Sequence, residues 1–414
     1  MTLDGKKMNI LFFANLIPYP LDNGGKIKTF STIEALSREH TIDLVCFYEK
    51  ENIIEAKKVL EKYCRKVILV PIKVTTRENM TYMMKKAIGC LFSKFPLIVY
   101  KYWSKEMRKT VAGLVAENHY DVTYFNYLQI YTYKDVIRKI SPNMKFVLDM
   151  QNCETRIFQR HAHETNNFLK QVYLLLESYK LSLFEKHAVQ NTDRLIVLSD
   201  EDQTALEELC GNKLLCAVIP IAVKEPGYVK TIDDAKEDID ILFLGTLTWA
   251  PNNEGMIWFM QKVMPMLNDK LRFHLYVVGK NPSSELKSLV EKYSNITLTG
   301  YVDEVRPYYE KCDFLVVPLF VGSGQRVKII EAFSYGMPVV STSIGAEGLD
   351  CVDGENILIA DSEMEFTEKI VQLCDKKLQR KLSENGRILY DEKYTVDAIA
   401  KRINDVVNSL ALQD

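Results

Sequence analysis

Short apolar, β-branched runs that stop at Gly, Pro, Asn or Ser alternate along the chain with segments of helical length. The first set is NILFFAN (9–15), TIDLVCF (41–47), KVILVP (66–71), DVTYFN (121–126), KFVLDM (145–150), DRLIVLS (193–199) and CAVIPI (216–221). The second is DILFLG (240–245), RFHLYVVG (272–279), NITLTG (295–300), DFLVVPL (313–319), PVVST (338–342) and NILIA (356–360). Runs that are apolar throughout predict strands buried on both faces, and their alternation with helices predicts parallel sheets. Between the sets, residues 224–239 are polar and charged without an apolar period, which reads as a linker. The pattern predicts an α/β protein of two Rossmann-like, doubly wound domains, 1–223 and 240–394, with ligands in the crevice at the carboxyl ends of the strands. After the last strand, 363–389 reads as one helix. A second, 395–411, carries Val396, Ile399, Ala400, Ile403, Val406, Val407 and Leu410 at helical spacing; this C-terminal segment, 395–414, is expected to pack back on the first domain.

The 414 residues, 47% hydrophobic and 26% charged, suit a folded globular protein with ample core. Lys and Arg number 53 against 55 Asp and Glu, so there is no overall field to attract nucleic acid, and any phosphate must be held locally. The nine scattered cysteines have none of the close pairs that zinc or redox motifs need, which points to a reducing cytosol. The apolar run near the N-terminus has strand length and no cleavage site, so no signal peptide is expected. No run reaches the ~18 apolar residues of a membrane span; GCLFSKFPLIVYKYW (89–103) is broken by Lys94 and Pro96.

Two loops carry candidate chemistry. After the first strand, Gly24-Gly25 precede a helix bearing Ile27, Phe30, Ile33, Ala35 and Leu36. Such a turn either admits a substrate oxygen to backbone N–H groups at a helix start or simply turns the chain. It lacks the G-x-G-x-x-G spacing of dinucleotide folds, which counts against an NAD or FAD enzyme. The stronger segment is PLFVGSGQRVKIIEAFSYGMPVVSTSIGAEGL (318–349). There a strand leads into Gly322, Ser323 and Gly324, then a helix through Ile329, Ile330, Ala332 and Phe333. Arg326 and Lys328 add positive charge within one turn, the chemistry of a pyrophosphate site. Glu331, one turn further, suits the hydroxyls of a ribose. The plain alternative is a solvated helix face with a Lys328–Glu331 pair.

This segment resembles the donor motif of retaining, GT-B-fold glycosyltransferases of family 4, in the bacterial sugar-transferase branch whose motif reads GSG-x-R-x-K-x-x-E-A followed by G-x-PVVST-x-x-GAEGL. The resemblance extends over DRLIVLSDED (193–202), FLGTLTWAPNNEG (243–255) and GYVDEVRPYYEKCDFLVVP (300–318). It implies a GT-B fold and retaining transfer from a nucleotide sugar to a glycan, lipid-linked or other cell-surface polysaccharide acceptor. Neither a cofactor nor a metal is implied. Arg326 and Lys328 are then leaving-group stabilisers. Gly322, Ser323, Gly324, Glu331 and Gly245 hold the donor, and Gly24 and Gly25 form a loop closing on the reacting groups. The chain departs from the broad family in two ways. Ser323 stands at the first position of the usual E-x7-E pair, and FLGTLTWAPNNEG lacks the usual Arg and Lys, so Arg326 and Lys328 are inferred to replace them. At i, i+2 they share a side only if the helix starts after Arg326.

In the first domain, Asp149 and Asn152 follow the strand KFVLDM and either cap the next helix or contact the acceptor. Asn252, after Trp249, either caps its helix or bonds a sugar hydroxyl. Residues 85–109 interleave cations with apolar side chains, which fits packing over the first domain or peripheral contact with the inner face of a membrane. The rival functions are another GT-B chemistry, inverting transfer or sugar-nucleotide epimerisation, and a non-catalytic sugar or nucleotide sensor.

Overall fold

The computed structural model describes residues 7–49, 52–74, 86, 88–90, 93–165, 167–236, 238–322 and 324–411. The chain divides into two units, Met1–Ile221 with Ile399–Asp414, and Ala222–Ala398.

Among the described residues, the first unit holds the strands β1 (Asn9–Ala14), β2 (Thr41–Tyr48), β3 (Lys66–Pro71), β4 (Val122–Asn126), β5 (Lys145–Asp149), β6 (Arg194–Val197) and β7 (Cys216–Val218). They form one sheet in the order β3-β2-β1-β4-β5-β6-β7, parallel throughout. All seven predicted runs are strands, and their continuous hydrophobicity has its cause in burial on both sides: Ile10 to Ala14 are inaccessible to solvent. The order reverses between β1 and β4, and the register sets Ala14, Asn126 and Asp149 side by side at that switch. The C-terminal helix Val396–Ala411 buries Ile399, Ile403, Val407 and Leu410. It is tied to this unit by Asn404 Nδ2 donating to the Ala35 carbonyl at 3.2 Å and Arg194 Nε to Ser409 Oγ at 2.9 Å.

The second unit holds β8 (Ile239–Leu244), β9 (Phe273–Val278), β10 (Ile296–Gly300), β11 (Phe314–Val317), β12 (Val339–Ser341) and β13 (Leu358–Ile359). Its parallel order is β10-β9-β8-β11-β12-β13, with the switch between β8 and β11. Two close approaches seat the loops there. A Cβ on Gly255 would lie 1.9 Å from the Pro318 carbonyl oxygen, and one on Gly279 would lie 1.9 Å from that of Gly245. Only glycine lets the helix Ala250–Trp258 rest on the end of β11. The segment 363–389 is not one helix. It breaks after Gln372, and Asp375 caps a second helix, Lys376–Lys393, by accepting from the Lys377 N–H at 2.9 Å. The charged stretch read as a linker is bonded to the second unit: Lys236 pairs with Asp240 at 2.9 Å and Asp313 at 2.8 Å, and Glu225 with Arg387 at 2.6 Å.

Candidate active site

The loops after β8 and β11 meet at the switch point of the second sheet. Gly322 (φ 131°) and Gly324 (φ 82°) take backbone conformations that side chains disfavour, and the helix Val327–Ser334 starts immediately after Arg326. Arg326 is the non-helical N-cap residue, and no side chain caps the helix. This start removes the i, i+2 conflict: Arg326 leaves from the loop and Lys328 from the first turn. The Arg326 side chain is buried, donates from Nη1 to the Gly324 carbonyl at 2.9 Å, and lies 5.6 Å from the centroid of the Trp249 ring.

Lys328 reaches into the segment that has no cation of its own. Its Nζ donates to Asn252 Oδ1 at 2.9 Å and sits 4.7 Å from the Phe243 ring centroid. A Cβ on Gly245 would be 2.7 Å from that nitrogen, so glycine there leaves room for the ammonium. Asn252 is neither the helix cap nor free for a sugar through its oxygen. Trp249 holds the N-cap position, and the Asn252 amide nitrogen donates to the Thr246 carbonyl at 2.9 Å, which aims its oxygen at Lys328.

Burial, then the nearby Arg326 charge, pushes the Lys328 ammonium down to about 7. Burial also lowers Arg326, partly offset by the Glu347 carboxylate. The solvated-face alternative is therefore overturned. Glu331 is half-buried, accepts from the Tyr309 hydroxyl at 3.2 Å, and is raised by desolvation. Two neighbouring cations whose charged forms are disfavoured, beside an uncapped helix start, make a place where an anion stabilises both cations and the helix N-terminus. Ser323 lies outside the described residues. Trp249, Tyr309 and Glu347 were assigned no part in this cluster by the sequence, and Asn252 was read as a cap or a sugar contact; the available signal for Trp249 and Asn252 was their place just after β8, and Tyr309, inside the helix Arg306–Lys311, gave none.

In the first unit Gly24 opens the helix Gly24–Ser37, capped by Asn23 Oδ1 accepting from the Lys26 N–H at 3.0 Å. A Cβ on Gly25 would come within 2.2 Å of the Tyr127 hydroxyl, which donates to Gln151 Oε1 at 2.8 Å. Asp149 neither caps a helix nor reaches solvent. Fully buried, it accepts from the Tyr124 hydroxyl at 2.6 Å and from Asn126 Nδ2 at 3.4 Å, while Asn126 Oδ1 accepts from Thr29 at 2.6 Å. It supports the Gly24-Gly25 turn from beneath. Asn152 is half-buried and does not cap the helix Glu154–Glu164 either. That start is held by Glu185, whose carboxylate accepts from the Glu154 and Thr155 N–H groups at 2.9 and 3.1 Å.

Residues 238–376 match the family Glycosyl transferases group 1, so the second unit carries a domain of that family. With the GT-B fold of two Rossmann-like sheets, this supports an enzyme of the glycosyltransferase class. An uncharacterised 44.6 kDa protein from the cps region of Klebsiella pneumoniae is 25% identical over 374 residues, 87% of this chain and 90% of that protein. The sucrose-phosphate synthase of Thermosynechococcus elongatus superposes with a TM-score of 0.69 at 16% identity, covering 98% of this chain and all of the other. Anabaena Alr3699/HepE, solved with UDP-glucose, gives a TM-score of 0.64 at 15% identity over 97% of this chain and all of its own.

Proposed function

We propose that the protein transfers a sugar from a nucleotide-diphosphate sugar to a glycan or lipid-linked acceptor, with retention of anomeric configuration, in polysaccharide assembly on the cytoplasmic side. The observation that carries the reading is the pair of cations, buried Arg326 and half-buried Lys328, at an uncapped helix start with Glu331 one turn along. Departure of a nucleoside diphosphate builds negative charge on phosphate oxygens, and fixed cations in a dry site lower that barrier most directly. A UDP-glucose-binding protein of the same fold and a relative encoded in a cps region support the donor and acceptor classes. In this reading Gly322, Ser323, Gly324 and Gly245 admit the donor, and Glu331 holds the ribose.

The test is a panel of nucleotide sugars screened for turnover, with the product anomer assigned by NMR. Inversion would defeat the retaining assignment, and binding without turnover would mean a sensor. The two cations are proposed to neutralise the diphosphate without a metal, so activity should survive EDTA; loss of activity that Mn²⁺ restores would refute this. Glu331→Ala is expected to weaken nucleotide binding by roughly 1.5 to 3 kcal/mol, the cost of losing hydrogen bonds to a charged group. Unchanged donor affinity in calorimetry would remove Glu331 from the site.

A further inference from the structure

The loop after β8 has no cation, yet it leads to a side chain built to receive one from elsewhere. Asn252 is 4% exposed and bonded at both ends of its amide: Nδ2 donates to the Thr246 carbonyl and Oδ1 accepts from Lys328 Nζ, each at 2.9 Å. The amide is planar, so the two bonds fix one another. With the nitrogen committed to a carbonyl six residues back, the oxygen meets a lysine 76 residues away. Two glycines keep this geometry. A Cβ on Gly245 would stand 2.7 Å from both Asn252 Nδ2 and Lys328 Nζ, and Gly255 seats the helix that carries Asn252 against Pro318.

The acceptor is neutral, and that decides the charge of the place. Among the described residues, Asn252 Oδ1 is the one acceptor of the Lys328 ammonium. The other groups around it are the Phe243 ring at 4.7 Å, the like charge of Arg326, and the carboxylate of Glu331, which the Tyr309 hydroxyl engages. An aspartate at 252 would have the same outline and would make the stronger bond to a half-buried ammonium. It would also cancel the charge it held. An amide fixes the nitrogen's position, leaves two of its three protons for a ligand, and adds no charge that a phosphate must overcome.

We propose that Asn252 is the positioning residue of this site: it holds the Lys328 ammonium at the carboxyl end of β8 while leaving its positive charge to a bound diphosphate. That role rests on the cluster being the diphosphate site of the proposed reaction. It sets Asn252 apart from the groups that touch the ligand, because Asn252 acts through Lys328, and it gives a physical reason for an amide rather than a carboxylate at this position.

Asn252→Asp and Asn252→Leu keep the branched outline of the side chain, so the circular dichroism of both should match the parent chain. Trace acetylation of the full chain between about pH 5 and about pH 11, read at the Lys328 peptide by mass spectrometry, follows this one ammonium without any substrate. Its midpoint, about 7 in the parent, should rise by at least about one unit in the Asp variant, where a carboxylate favours the charged form. It should fall in the Leu variant, where that form loses its acceptor. At pH 6 the Asp variant should bind inorganic pyrophosphate at least about tenfold more weakly in calorimetry, since a carboxylate then faces the anion. In transfer assays the Leu variant should lose at least about tenfold in kcat with a smaller rise in KM, because the ammonium is no longer held where charge develops. If Asn252 only packs its loop, the Lys328 midpoint stays equal in all three folded chains; that result overturns the proposal, as does full pyrophosphate affinity in the Asp variant. The Asp variant, which exchanges an amide nitrogen for oxygen, decides alone if the Leu variant does not fold. A parent chain that binds no pyrophosphate would instead defeat the diphosphate reading itself.

Discussion

Arg326→Ala is expected to lower kcat by about a hundredfold or more while raising KM much less, measured by steady-state transfer or donor hydrolysis with the active nucleotide sugar. The guanidinium is held from two sides, by its bond to the Gly324 carbonyl and by the Trp249 ring, so it needs little reorganisation as charge develops on the leaving diphosphate. A preorganised group that interacts more strongly with the transition state than with the bound substrate acts on kcat, and losing one such contact costs about two to three powers of ten. Arg326→Lys should restore only part of the rate, since an ammonium cannot grip two phosphate oxygens as a planar fork does. Arg326 also anchors the glycine loop, and Trp249→Leu separates the roles. If Arg326 only shapes the loop, Trp249→Leu should reproduce its kinetic defect. If it stabilises the leaving group, the Trp249 variant should retain most of kcat. Full activity in a folded Arg326→Ala, Lys328→Ala double variant would defeat the assignment.

Lys328→Met should abolish transfer to a similar or greater degree and, at the same time, raise thermal stability. Folding partly desolvates this ammonium beside a second cation, with an amide oxygen as its neutral acceptor. Between about pH 7 and the ordinary lysine value near 10.4 the folded chain holds fewer protons here than the unfolded chain, so this residue's contribution to stability rises with pH across that window. Its penalty is full below pH 7. The methionine variant should therefore melt at least about 2 °C above the parent at pH 6, with the gap narrowing toward pH 9. A variant equally active, or less stable at pH 6 than at pH 9 relative to the parent, would refute the account. The same linkage makes nucleoside diphosphate binding take up protons above pH 7, because a bound diphosphate restores the charged form. Calorimetry at pH 8 in buffers of different ionisation heat should register that uptake.

All thirteen strands among the described residues were legible because a parallel sheet covered on both faces demands unbroken apolar runs, a local signal that no distant residue alters. The glycine loop, Arg326, Lys328 and Glu331 were legible as a cluster for a similar reason, since the ten residues 322–331, spanning one loop and the start of one helix, must lie close together. Side-chain direction was another matter. The position of the helix start decides whether Arg326 and Lys328 diverge, and it depends on positive φ values at Gly322 and Gly324 that composition allows without requiring. Asn252 read as a cap because Asn near a helix start often is one, yet the Thr246 carbonyl claims its amide and turns its oxygen to Lys328. Asp149 read as a ligand contact or a cap from its place after β5, whereas Tyr124 and Asn126 enclose it beneath the Gly24-Gly25 turn. By itself, then, the sequence determined which segments are strands and which loops carry the polar chemistry, because backbone pairing and burial are written in local periodicity. Only the tertiary structure decided where each polar side chain spends its hydrogen bonds, because those partners lie far along the chain: Asn252 is 76 residues from Lys328, and Ala35 is 369 from Asn404.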